Sequence, residues 1–268
     1  MTMIITGNIR TYFFNHGNGY PLVLLHGALM DHCLWNPQIN AFAEKYQVIV
    51  YDLRGHGQSE KEGDPDYSVE LLAHDLLELL NNFGLACVHL CGLGLGGMVA
   101  QEFASRYPAR VEKLVLCDTA VSATLYWSEN LTSLAFDRAF ALILRMMGAE
   151  RDLDFALKLA KLTRGKHWLG ETPEVRDYLR TCLRAFDTAE MARIRAMEMR
   201  YRGAELSRIL APTLILAGKR GSKNMFRQVK LMSKQIPDNQ VQIIPGAGRL
   251  SNMENPQIFN NLVLDFLA

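Results

Sequence analysis

Four glycines in six positions, Gly92, Gly94, Gly96 and Gly97, constrain this chain more than any other feature. They follow a short apolar run, Val88-His89-Leu90-Cys91, and precede a stretch of helical spacing from Met98 to Tyr107 that Pro108 ends. A strand that turns into a helix over so few residues needs small neighbours on both sides of the turn. The residue at its tip takes up a backbone conformation that glycine adopts without steric cost. The sequence is thus organised around a strand-to-helix corner whose tip, Gly94, has no side chain.

The same alternation extends on both sides of the corner. Residues 9–14 and 21–25 read as strands flanking the turn signal Gly17-Asn18-Gly19, and 47–51 is a short apolar run of buried-strand type. Leu71, Leu72, Leu76, Leu79 and Leu80 recur at helical spacing up to Phe83-Gly84, and Leu114–Cys117 is another strand. From Ser122 to Ser207 the periodicity is helical with no strand candidate, including 153–162 and 175–186. Strand patterns then resume at 213–218 and 241–244, and an amphipathic helix closes the chain from Pro256 to Leu267. This order predicts an α/β fold with a mostly parallel, doubly wound sheet. Residues 1–121 and 208–268 would form the core, with 122–207 inserted as a helical cap, or lid.

The formal net charge of +1, with no isolated run of Lys or Arg, argues against nucleic acid or an anionic membrane as partner. Five cysteines without a CxxC pair read as reduced residues of a cytoplasmic protein. The first residues lack a signal-peptide pattern, and no stretch approaches the roughly 18 apolar residues a bilayer span needs. A small-molecule protein with no metal and no cofactor is the expectation, its oligomeric state open.

Further motifs stand in a fixed order: Leu24-Leu25-His26-Gly27, then Tyr51-Asp52-Leu53-Arg54-Gly55-His56-Gly57-Gln58-Ser59, the glycine corner, and Leu116-Cys117-Asp118-Thr119-Ala120. Together they resemble the α/β-hydrolase superfamily over nearly the whole chain. Within it, Gly96–Gln101 and Ile244–Asn252 are similar to the 3-oxoadipate enol-lactonases and related hydrolases of small lactones and esters. The resemblance implies an α/β-hydrolase fold in which the corner is the nucleophile elbow. Carried over position by position, it puts Gly94 where the nucleophile stands, Gly221 at the acid position and Arg249 at the histidine position. None of these supports triad chemistry, because a serine needs a base and the base an orienting carboxylate.

Few groups stand ready to replace the triad from other positions. Asp118 stands where some relatives keep the acid, and Cys91 lies three residues from the corner's tip but reads as packed. His16, His32, His74, His89 and His167 read as surface or satisfied core residues. His26 and His56 belong to the frame, with a proton-transfer role kept open for both, and either of them or Asp118 would be the base of a hydrolase that uses water directly. The resemblance also implies an oxyanion hole built from backbone N–H groups, at Leu95 and at Ala28 or Leu29, where a helix N-terminus favours negative charge. Arg249 would add a guanidinium suited to carboxylate or enolate oxygens, or else pair with an acid such as Glu254. Lys219 and Arg220 read as a solvated loop face. Gly94, Leu29, Gly221 and the cap residues Trp127, Trp168 and Phe136 would line the pocket, the aromatics having core packing as their alternative. The expectation is a non-hydrolytic enzyme, whether lyase, isomerase, decarboxylase or cyclase, acting on a small anionic or enolisable carbonyl compound. A ligand-binding pseudoenzyme and a hydrolase that uses water without a triad are the other readings.

Overall fold

Runs such as Leu22–Leu25 and Leu114–Cys117 are apolar at every position and are stable only where both faces of a sheet are covered. The computed structural model, which describes residues 2–61, 67–122, 172–186 and 188–268, places them centrally in an eight-stranded sheet. The strands are β1 (Met3–Thr6), β2 (Ile9–His16), β3 (Tyr20–Leu25), β4 (Tyr46–Tyr51), β5 (Val88–Leu93), β6 (Val111–Cys117), β7 (Thr213–Gly218) and β8 (Asn239–Ile244). Their order is β1-β2-β4-β3-β5-β6-β7-β8. β1 and β2 pair antiparallel, as do β2 and β4, and every later pairing is parallel.

Alternate residues feed two apolar layers, as the period of two in a strand requires. Val23 and Leu25 of β3 and Ile215 and Ala217 of β7 face one cluster, shared with α2 (Val69–Asn82), α3 (Leu95–Arg106) and α6 (Lys223–Gln235). Leu22, Leu24, Leu214 and Leu216 face the other, shared with α1 (Asn36–Ala43) and α8 (Pro256–Leu267). Helix α8 buries Phe259, Val263 and Leu267, a stripe at intervals of four, and α2 is started by Ser68, whose hydroxyl accepts from Leu71 N–H at 3.0 Å.

The predicted strands and the doubly wound sheet are present. Three elements escape the sequence pattern for physical reasons. Edge strand β1 leaves Ile5 64% exposed, so it carries no buried run to read. Helix α1 is short, and the apolar side chains that α6 buries are only Met225, Val229 and Met232. Helix α3 begins at Leu95, three residues before Met98, because the glycines themselves form its first turn. Within 122–207, the described residues form α4 (Pro173–Arg184), α5 (Thr188–Arg200) and a short turn at Leu206–Arg208, with no strand among them. The helical pattern expected at 153–162 falls outside the described residues. No helix among the described residues is long and apolar enough to cross a membrane.

The corner between β5 and α3 is held by contact of backbone on backbone. A Cβ on Gly96 would stand 2.2 Å from Leu25 O and 2.7 Å from His26 O, and one on Gly92 2.4 Å from Gly96 O. Gly96→Ala should therefore destabilise by about 3 kcal/mol through forced displacement of β3. Gly84→Ala, at φ +65° with nothing within 4 Å, should cost only about 1 kcal/mol of backbone strain. Urea unfolding of both variants measures the difference; equal losses would contradict the close approach.

Candidate active site at the strand-to-helix corner

Gly94 sits at φ +57°, ψ −116°, immediately before the first residue of α3. Three bonds fix it there: Gly94 N–H donates to Cys117 O (3.1 Å), Thr119 Oγ1 donates to Gly94 O (2.6 Å), and Gly96 N–H donates to His26 O (3.0 Å). The corner is thus tied to the ends of both neighbouring strands. A Cβ on Gly94 would meet only Gly27 Cα, at 3.6 Å, so the loop after β3 closes over the tip without filling the space there.

Leu95, the first residue of α3, has an N–H with no carbonyl one turn earlier in its helix to receive it. Ala28 and Leu29 follow Gly27 directly in the facing loop, half-buried, and Leu29 holds a positive φ of 58°. The structure therefore brings Gly94, Leu95, Ala28 and Leu29 together, although the Leu29 side chain packs against the apolar cluster under α2 and α3. Backbone donors at a helix N-terminus suit a carboxylate, an enolate or a polarised carbonyl.

Asp118 ends β6 beside the corner, buried, at φ +44°. Its carboxylate accepts from Gly218 N–H (2.9 Å) and Ser251 N–H (3.2 Å), bracing the end of β7 and the start of α7 (Ser251–Glu254). Burial raises its pKa above the ordinary value, while the bonds from Ser251 and Gly218 and the charge of Arg249 work in the opposite direction. Arg249 keeps an exposed surface, yet desolvation is the largest influence on its guanidinium and lowers its pKa; Glu198 and Asp118 raise it and Arg195 lowers it. Glu254 accepts a hydrogen bond from Gly248 N–H, and the charges acting on Arg249 include Glu198 and Arg195 of α5 and Asp118.

Several expected site residues lie elsewhere. His26 is buried, its Nδ1 bonded to Gly27 O (2.8 Å) and its Nε2 accepting from Leu53 N–H (2.9 Å). Both ring nitrogens are committed to the backbone and burial lowers its pKa, so His26 is scaffold and not a proton carrier. His56 is likewise buried, held to about 3 by desolvation. Gly221 forms a turn, its N–H donating to Gly218 O at 2.9 Å, while Lys219 and Arg220 beside it are exposed, as a solvated loop face. Cys91 is packed on β5, its sulfur 3.8 Å from that of Cys117. His16 and His74 are exposed and His89 is buried between Tyr20 and Tyr46. Trp127, Phe136, His167 and Trp168 fall outside the described residues.

The family described as "alpha/beta hydrolase fold" matches residues 20–256. This chain is an α/β-hydrolase-fold protein. Across the family the chain is 28% identical over 260 residues to RutD of Stutzerimonas stutzeri, which is named as a carbamate hydrolase, covering 94% of this chain and 95% of that one. It is 27% identical over 270 residues to 3-oxoadipate enol-lactonase 1 of Acinetobacter baylyi, covering 97% and 94% respectively. A thermophilic esterase from Thermogutta terrifontis, solved with malate bound, superposes with a TM-score of 0.82 at 27% identity, covering 100% of this chain and 98% of that one. These α/β-hydrolase-fold relatives are thus named for hydrolysis, and the enol-lactonase likeness seen in the motifs is among them.

One constellation in this α/β-hydrolase-fold chain carries no sequence motif of its own. His32 Nδ1 lies 2.9 Å from Oδ1 of the buried Asp52, and His32 Nε2 lies 3.5 Å from Cys33 Sγ. Asp31, His32 and Cys33 bring three potential ligand atoms within 4.8 Å of one another. Asp31 Oδ1 is engaged by Cys33 N–H (3.0 Å) and Tyr178 Oη (3.2 Å), which makes this a hydrogen-bonded cluster in which the carboxylate caps a turn. The only signal in the chain is a His-Cys pair following closely on His26-Gly27. Burial alone would lower the pKa of His32, but its bonds to Asp52 and Cys33 outweigh that and raise it from 6.5 to about 10. A raised histidine pKa stabilises the fold fully below its ordinary value and loses that contribution as pH climbs through the folded value. The stability difference between wild type and His32→Gln should therefore shrink as pH rises from about 6.5 towards 10. Chemical unfolding across that range measures it, and a constant difference would contradict the pairing.

Proposed function

We propose that this protein works without the serine–histidine–acid triad, as a non-hydrolytic enzyme of the lyase, isomerase, decarboxylase or cyclase type. Its substrate is a small carboxylate or enolisable carbonyl compound. The observation that carries this is Gly94: the backbone there keeps the strained geometry of a nucleophile elbow, φ +57° and ψ −116°, with no side chain to attack. Leu95 N–H and an N–H at Ala28 or Leu29 then act as the oxyanion hole, holding negative charge that develops on the substrate oxygen. One such donor contributes roughly 3–4 kcal/mol to a transition state. Arg249 anchors the anionic end of the substrate. Asp118 holds the backbone of the loop that carries Arg249, through Ser251 N–H.

Residues 122–207 form the cap in this reading, over a core of 1–121 and 208–268. The position of Arg195 and Glu198 of α5 among the charges around Arg249 supports a cap that closes on the site. So does the contact of Tyr178 on α4 with the backbone of Asp31. Malate in the similar esterase is a precedent for a small carboxylate ligand. The described cysteines are all free thiols, in keeping with a cytoplasmic setting. A second reading, hydrolysis of an activated ester or lactone by water, is favoured by the hydrolase names of the relatives.

Gly94→Ser tests the loss of the triad. The added side chain has room, and its strain should lower stability by about 1–3 kcal/mol, but with Gly221 and Arg249 at the partner positions it should give no turnover of p-nitrophenyl acetate. Turnover by that single variant would contradict the reading. The reaction itself is tested by incubating a metabolite extract with wild type and with Arg249→Ala and following it by mass spectrometry. Wild type should consume a carboxylate or carbonyl compound without adding the mass of water, and Arg249→Ala should spare it. Consumption with a gain of water identifies the hydrolase, and retention without consumption identifies a binder.

A further inference from the structure

The five thiols stand in different surroundings. Cys91, Cys117 and Cys182 are buried, and desolvation pushes Cys182 up to about 12. Cys33 and Cys87 are both half-exposed, which makes them a matched pair. Cys87 Sγ faces a carboxylate oxygen of Glu112 at 3.8 Å, a neighbour that opposes negative charge on sulfur. Cys33 Sγ faces the imidazole Nε2 of His32 at 3.5 Å, and the opposite ring nitrogen is held 2.9 Å from Asp52 Oδ1.

We propose that Cys33, His32 and Asp52 form a thiol-nucleophile site, distinct from the corner at Gly94, that reacts with small disulfides. The three residues stand as nucleophile, imidazolium partner and orienting carboxylate. Asp52 is fixed for that role: its two oxygens accept from His32 N–H (2.7 Å) and Gln58 N–H (2.8 Å), and its side chain is 0% exposed. His32 keeps 15% of its side chain exposed and lines an open depression of about 390 Å³ with Tyr12, Phe14, Asn36, Ile39 and Asn40, and Cys33 beside it is partly exposed in its own right.

The backbone of the same turn selects the class of reaction. Cys33 N–H donates to Asp31 Oδ1 (3.0 Å) and Leu34 N–H to Asp31 O (3.1 Å), so neither amide is available to stabilise the oxyanion that acyl transfer generates. Exchange at a disulfide sulfur forms no oxyanion and needs no such donors. At neutral pH His32 is an imidazolium whose Nε2–H faces Cys33 Sγ, so in that exchange the Cys33 proton leaves to solvent and the thiolate, paired with that cation, attacks one sulfur of the disulfide. A new S–S bond forms as the old one breaks, and the departing sulfur takes the bond's electron pair and then a proton from solvent. One thiol and one disulfide become a mixed disulfide and a new thiol.

The test is reaction of the folded full-length chain with 4,4′-dithiodipyridine at neutral pH, with the modified cysteine located by peptide mass spectrometry at each time point. Cys33 should be modified at least about tenfold faster than Cys87, and His32→Gln should bring Cys33 down to the rate of Cys87. Cys33→Ser should abolish the fast phase. Equal rates at Cys33 and Cys87 in the wild type, or an unchanged Cys33 rate in folded His32→Gln, would overturn the proposal. If His32→Gln does not fold, as circular dichroism would reveal, the wild-type rate ratio decides the matter alone.

Discussion

The contact between the first turn of α3 and the end of β3 is the constraint on which the site depends. Gly96 lies where any Cβ would strike the carbonyls of Leu25 and His26, and its N–H donates to His26 O. That approach aligns the start of a helix, with its unsatisfied amides, against the loop carrying Ala28 and Leu29. The glycines at 92 and 96 are needed for this junction even though no serine stands at 94, because the clash they avoid is with backbone atoms that cannot swing aside.

Charge is arranged around the corner in a second layer. Asp118 is buried, and its oxygens are taken up by the backbone of β7 and of the turn entering α7, so it positions the loop of Arg249 more than it acts on a ligand. Arg249 feels the charges of both that carboxylate and Glu198 on α5. Residues on α5 and on the core share a cluster of opposite charges, and an anion entering the cleft would compete with Glu198 for the guanidinium. Binding and the position of α5 are coupled in such an arrangement.

Much of this was legible in the chain. The central strands could be read because burial on both faces leaves no polar residue to interrupt them, and the corner because a turn this tight requires glycine at its tip and at its closest approach. What escaped had little burial to announce it: β1 lies at an edge, and α6 buries only every third or fourth residue. Side-chain roles were less legible than backbone ones. His26 carries a motif yet spends both nitrogens on main-chain bonds, whereas His32 carries none and meets a buried carboxylate from a distant strand end. Pairings of that kind depend on β3 and β4 lying side by side, which residue spacing does not reveal.

The proposal that the corner binds negative charge through its backbone predicts a response at the amides that would do the binding. Titrating ¹⁵N-labelled, deuterated protein with malate and following the amide resonances tests this most directly. The resonances of Leu95 and of Ala28 or Leu29 should shift together and saturably, and Arg249→Ala should weaken the response without moving it elsewhere. Saturable shifts confined to other parts of the chain, with Leu95 unmoved, would contradict the claim.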